Sequence, residues 1–405
     1  MPVRQGSTAT ARFATGGVAR PAILGLGFRP FYLLAALYAA LIVPFFLGWY
    51  VGAWPGNTRL DVVAFHAHEM LFGYVAAVAS GFLLTAVRNW TGRATPTGWL
   101  LAGLVLLWVA GRVATCIGAM LPAWLAVGLD VAFLPAIAAS LWVPLVRSRS
   151  RRNLALPLIL VGLAGADLAI QLNALGVVGL GRSRGILGSL DLLLVLMVVI
   201  GGRVIPMFTR NTLRHSGVRR VDWAERLALP SVLLVLALDV LGRAPEALAG
   251  AALAAAVVHA VRMSRWGGWA ARKAPLLWVL HAGYAWIVAS LLLRALSVWW
   301  PDVVMPVLAI HALTVGAIGS LTLAMMSRSA LGHTGRRLEA GTGLTAAFVL
   351  VNVAAVVRVF APMVWPQAYL DILLLSAGFW SAAFLLFVAG FWPVLTRPRI
   401  DALPG

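Results

Sequence analysis

Twelve apolar runs of about twenty residues each leave this chain few folds to choose from. A helix rises about 1.5 Å per residue, so each run is long enough to cross a bilayer. Lipid offers no partner for backbone N–H and C=O groups, which limits such runs to helices or a closed barrel. Arg, Gly and Pro punctuate the runs at 31–53, 64–87, 98–120, 123–146, 154–178, 186–207, 224–242, 245–263, 275–298, 303–326, 342–363 and 369–394. These are too long for barrel strands, and the fold expected is an all-α, polytopic membrane helix bundle of about twelve spans. A composition 61% hydrophobic and only 11% charged excludes a soluble enzyme. The first run has no small-residue cleavage site after it and reads as a span rather than a signal peptide. Residues 1–27 read as a mobile basic cytoplasmic tail, 28–396 as the transmembrane domain and 397–405 as a second cytoplasmic tail.

The net charge of +19 would suggest nucleic acid in a soluble domain, but its distribution gives a membrane explanation. With both termini cytoplasmic, only seven of the 32 Lys and Arg residues fall on the outer side: Arg59, Arg112, Arg182, Arg184, Arg243, Arg294 and Arg358. The excess positive charge is therefore mainly a topology signal, with a lipid bilayer as partner and no nucleic acid.

Within that topology the chemistry gathers on one stretch, FHAHEMLFGYVAAVASGFLLTAVRNWTGR at 65–93. Ionisable groups in a span normally face the bundle interior, a cavity or a cofactor. His66 and His68 are two residues apart, so they diverge by roughly 200° on a regular helix and face different partners. Span two runs inward, which puts both near its outer end. Span ten runs the same way, with His311 about 12 Å inside its outer end. An outer cluster of His66, His68, Glu69 and His311 follows, together with an inner pair, His259 and His281. His215 and His333 fall in loops. The plain alternative for each histidine is an interhelical hydrogen bond. The chain's single cysteine, Cys116, excludes disulfides, Cys₄ clusters and covalent haem within the chain, and no CxxCH occurs. Three histidines at similar depth then favour metal or haem ligation, with a non-covalent haem b held by two histidines between spans two and ten and a second metal facing the other histidine of span two. Glu69, at i+3 from His66, is a candidate ligand, hydrogen-bond partner or proton relay and the candidate catalytic residue. Arg203 and Arg328, near inner span ends, are candidate partners for haem propionates or interface markers.

An internal echo also links the two halves. His68, Gly73 and Thr91-Gly92-Arg93 recur as His311, Gly316 and Thr334-Gly335-Arg336, each pair 243 positions apart. Spans two, six and ten share a direction, which is compatible with three four-helix units.

The stretch at 65–93 resembles the NnrS family of bacterial membrane proteins. The resemblance continues at LGFRPFYLLAALYA (26–39), GGRVIPMFTRN (201–211), PLLWVLHAGYAW (275–286) and HALTVGAIGSLTLAMMSRSALGHTGR (311–336). It implies a haem- and copper-containing protein of the nitric-oxide response that protects against nitrosative stress. It places His66, His68, His281 and His311 in matched motifs and leaves His259 outside them. Twelve spans with histidines on two and ten are also similar to the catalytic subunits of haem–copper oxidases and nitric-oxide reductases, at the level of fold alone. Span six has no histidine and LALPSVLLVLALDVLG lacks a His-His pair, so that copper or iron centre is not reproduced. The expected function is an inner-membrane haem and metal protein, the metal being copper or non-haem iron, that takes nitric oxide as ligand or as a substrate reduced to N₂O by an unknown electron donor. The competing readings are a non-enzymatic sensor or sequestering protein and a transporter for a metal or metal-nitrosyl complex.

Overall fold

The computed structural model describes residues 21–179, 182–213, 217–242 and 244–401, among which there is no strand. His215 and most of the expected N-terminal tail lie outside the described residues. Twelve long helical columns follow one another: α1 Phe28–Tyr50, α2 Val62–Thr91, α3 Gly98–Cys116, α4 Ala123–Arg147, α5 Ala155–Ala174, α6 Arg182–Thr212, α7 Asp222–Leu241, α8 Pro245–Ser264, α9 Pro275–Trp299, α10 Pro306–His333, α11 Thr342–Val364 and α12 Tyr369–Thr396. Eleven are long and apolar enough to cross a membrane on composition alone. The other, α7, is twenty residues long but carries Asp222, Glu225, Arg226 and Asp239. The chain is thus a polytopic helical membrane protein.

Local chemistry sets the ends. The Asp61 side chain accepts from the N–H groups of Val63 (3.2 Å) and Ala64 (3.1 Å) and caps α2. Pro245, Pro275 and Pro306 open α8, α9 and α10, where a missing N–H is harmless. Gly92 ends α2 at φ 65° and Gly335 follows α10 at φ 74°, left-handed positions that suit glycine. Consecutive columns pack on one another, α2 also reaches α4 beyond α3, and α1 closes the circuit against α12. The most enclosed column is α2, 83% buried over its apolar window against 33% for α12.

Both α2 and α10 change pitch in mid-course. Glu69–Val75 and Ala312–Ile318 are π-helical turns, each beginning directly after the histidine of the echo, His68 or His311. The sequence echo therefore has a matching backbone feature at the same offset. A Cβ on Gly73 would collide with Tyr38, and one on Gly316 with Trp286, so neither position of the π turns admits a side chain without displacement. The α6 column, by contrast, is α-helical throughout. Columns α2, α6 and α10 together line the interior space.

Candidate functional site

His66 and His68 enter different surroundings. His68 is fully buried at the centre of a charged cluster. Its Nδ1 lies 2.9 Å from Glu69 Oε1, and its Nε2 lies 2.9 Å from both Asp130 Oδ2 and Asp167 Oδ1. Gln171 Nε2 donates to Asp130 Oδ2 at 2.7 Å. Arg112 donates to Glu69 Oε1 at 2.6 Å and forms a second ion pair with Asp130, while the Tyr38 hydroxyl donates to Glu69. Among the described residues, His68, Asp130 and Asp167 form the group of three whose ligand atoms are close enough to hold a metal ion. With His68 neutral the cluster sets three carboxylates against one guanidinium. One divalent cation or two protons would balance it, and an unbalanced charge is costly at this depth.

His66 instead stacks on Phe46, ring centroids 4.2 Å apart, and its buried Nδ1 has no hydrogen-bond partner. It lines a cavity of about 490 Å³ shared with His311, Arg358, Ser376, Thr314 and Tyr74, whose other walls are apolar. That volume is within the ~300–1,000 Å³ of ordinary cofactor pockets. His311 is anchored through Nδ1 to the Val307 carbonyl at 2.8 Å. Arg358 donates from Nη2 to the Tyr369 hydroxyl at 2.8 Å, but its buried Nε and Nη1 have no partner. Two imidazoles and a partly unsatisfied guanidinium in an apolar cavity fit a haem, whose propionates the arginine would meet.

The other expected residues lie outside the His66 cavity. His259 Nδ1 meets the Tyr284 hydroxyl at 2.7 Å, which also accepts from Arg262 Nη1 at 3.0 Å; Arg262 in turn pairs with Glu225 at 2.8 Å. His281 Nε2 is 3.0 Å from the Thr209 hydroxyl. The two histidines thus belong to separate hydrogen-bonded groups. Arg203 donates to Asn153 Oδ1 at 3.0 Å, and Arg328 donates to the Thr212 hydroxyl and lies 4.0 Å over the Phe208 ring. His333 packs on Phe28. Glu69 does not share the His66 cavity; its carboxylate turns to His68, Tyr38 and Arg112.

Sequence reasoning missed Arg112, Asp130, Asp167, Gln171 and Arg358. The signal was present, since each is an ionisable or amide group inside an apolar run. Counting Arg112, Arg294 and Arg358 as outer-side charge hid them: all three lie within helices, Arg112 paired with Glu69 and Asp130, Arg294 with Asp191 and Asp239, and Arg358 against Tyr369.

The chain is thus a multi-pass helical bundle with a histidine–arginine cavity and a separate histidine–carboxylate cluster that could hold a metal ion. The sequence profile of the NnrS protein family matches residues 22–399, nearly the whole chain, and the chain belongs to that family. It is accordingly a membrane protein of the nitric-oxide response. No curated protein matches the chain.

Proposed function

We propose that the protein binds nitric oxide at a haem b held between α2 and α10 and so protects an inner membrane from nitrosative stress. The observation that carries this reading is the cavity where His66, His311 and the unpartnered atoms of Arg358 meet. Haem bound there supplies an iron with affinity for nitric oxide. The chain supplies the rest. The Val307 carbonyl orients the His311 ring and leaves Nε2 as its free nitrogen. His66 stacks on Phe46 and its Nδ1 has no hydrogen-bond partner, so of the two imidazoles that would hold the haem its ring is the less restrained. Two nitrogens of Arg358 have no partner and would serve an anionic group, and most of the cavity's walls are apolar.

The His68 cluster is assigned to a second metal. One imidazole and two carboxylates form a hard donor set with no thiolate or thioether, which favours non-haem iron or another divalent ion over Cu(I). Arg112 and Gln171 would orient the carboxylates.

Optical spectra of the detergent-purified, reduced protein with and without nitric oxide, beside total metal analysis, test the reading. A haem b spectrum that shifts with nitric oxide is expected, and His66→Ala and His311→Ala should each lower haem content. Full haem retention in both variants would overturn the assignment. Protein free of haem from haem-replete cells would favour the transporter reading. Nitric oxide consumption with an added reductant, accompanied by N₂O, would mark a reductase rather than a binding protein.

A further inference from the structure

A second chamber lies beside the histidine cavity. It measures about 100 Å³ and is lined by α2, α6 and α10, with Leu280 of α9. Every side chain lining it is apolar except that of Thr322. That hydroxyl already donates to the Ile318 carbonyl at 2.6 Å and meets the Tyr74 hydroxyl, which leaves a water at most one lone pair, fewer than the two to four partners that a buried water needs. A guest of water size needs only ~10–15 Å³ by this measure, and a roomy apolar cavity without polar partners stays dry and takes apolar guests such as xenon. Water is thus excluded by chemistry rather than by size.

The chamber meets the histidine cavity at two residues. Among the described residues, Val75 and Ile318 alone line both spaces. They are also equivalents in the internal echo, each the last residue of a π turn. The pitch change that follows His68 and His311 therefore ends at the boundary between a polar-edged cavity and an apolar chamber.

We propose that this chamber is a binding site for a small uncharged gas, nitric oxide in the cell, which passes between Val75 and Ile318 into the cavity of His66 and His311. The occupancy follows from the dry apolar walls; the passage rests on the function proposed above. Nitric oxide is uncharged and only weakly polar, so it enters such walls without the desolvation that excludes ions. The route lets the ligand arrive from the bundle's apolar interior rather than past Arg358.

Xenon is the probe, because it binds apolar chambers and needs no haem. Xenon NMR and anomalous scattering from pressurised crystals of the full chain should place a xenon atom in the chamber. Ala79 lines the chamber but not the histidine cavity, so Ala79→Phe should displace the xenon. The same variant should slow nitric oxide association after flash photolysis by about tenfold, a barrier increase of about 1.4 kcal/mol, with haem content and the nitrosyl spectrum at saturation unchanged. Leu196→Ala enlarges the chamber and should raise xenon occupancy, which decides the matter if the phenylalanine variant does not fold. No xenon in the wild-type chamber, or unaltered occupancy in Leu196→Ala, would overturn the site. Displaced xenon with an unchanged association rate would overturn the passage. Haem-free protein would defeat the proposed function, while the xenon result would still decide the chamber.

Discussion

Arg112 is the residue on which the buried charge of the His68 cluster depends. It is the one guanidinium among Glu69, Asp130 and Asp167, and it bridges two of them. Arg112→Met should destabilise the detergent-solubilised protein by about 3–5 kcal/mol, because removing one partner strands buried charge. Thermal unfolding measures this; a change in midpoint too small to resolve would mean that water reaches the carboxylates. Arg112→Lys should recover only part of the loss, since a point charge cannot reproduce a fork that serves two carboxylates. Arg294 provides a comparison. It pairs with Asp191 and Asp239, and none of the three lines the histidine cavity or belongs to the His68 cluster, so Arg294→Met should lower stability by about 3–5 kcal/mol with haem content retained. Haem loss in that variant, at a temperature where it remains folded, would show that the two regions are coupled. None of these partnerships could be read from sequence spacing. Asp130 and Asp167 sit in spans apolar nearly all the way round, so periodicity gives no face, and their partner His68 is 99 positions from Asp167. What the sequence did disclose was the divergence of His66 and His68, a consequence of helical pitch that needs no tertiary contact.

At the scale of the helix, spans were legible and their pitch was not. The apolar run read at 186–207 lies inside a helix that continues to Thr212, and the run read at 303–326 overlaps one that begins at Pro306 and continues to His333. Helix persists into the polar segments because a fall in hydropathy does not itself end a helix; in α10 the left-handed Gly335 comes only after the hydrocarbon-length stretch has ended. The π turns leave still less trace, since an inserted residue changes no composition. They matter because one extra residue rotates everything beyond it by about 100°. Deleting Leu71 from Glu69–Val75 should restore regular pitch and turn the outer end of α2 relative to its inner end. The helical circular dichroism should persist while haem absorbance falls by more than half, a partition change of order 1 kcal/mol. Haem retained at wild-type level would show that the π turn does not aim His66 into the cavity.

For the whole molecule the open matter is α7. Apolar composition by itself supports eleven crossings, which would put the termini on opposite sides; twelve would put them on the same side. The charges that set α7 apart are at least partly met by its neighbours. Glu225 pairs with Arg262 of α8, Asp239 pairs with Arg294 of α9, and Asp222 stands in the first turn, near the end of the helix. Twenty residues rise about 30 Å, enough for the hydrocarbon core, and α7 packs on both α6 and α8. Hydropathy misses such a span because it scores each charge as if exposed to lipid, whereas a paired charge facing the bundle is far less costly. The arginine distribution points the same way. With Arg112, Arg294 and Arg358 engaged inside the bundle, four of the seven arginines assigned to the outer side remain, which sharpens the inside excess. Reporters fused separately to the two ends should therefore both read as cytoplasmic: fluorescent protein bright, alkaline phosphatase inactive. Opposite readings would mean that α7 does not cross. Glu225→Lys sharpens the comparison: it replaces the partner of Arg262 with a like charge at the inner end. Stability should then fall while both reporters still read cytoplasmic, because the added positive charge sits on the side where the rule already places it.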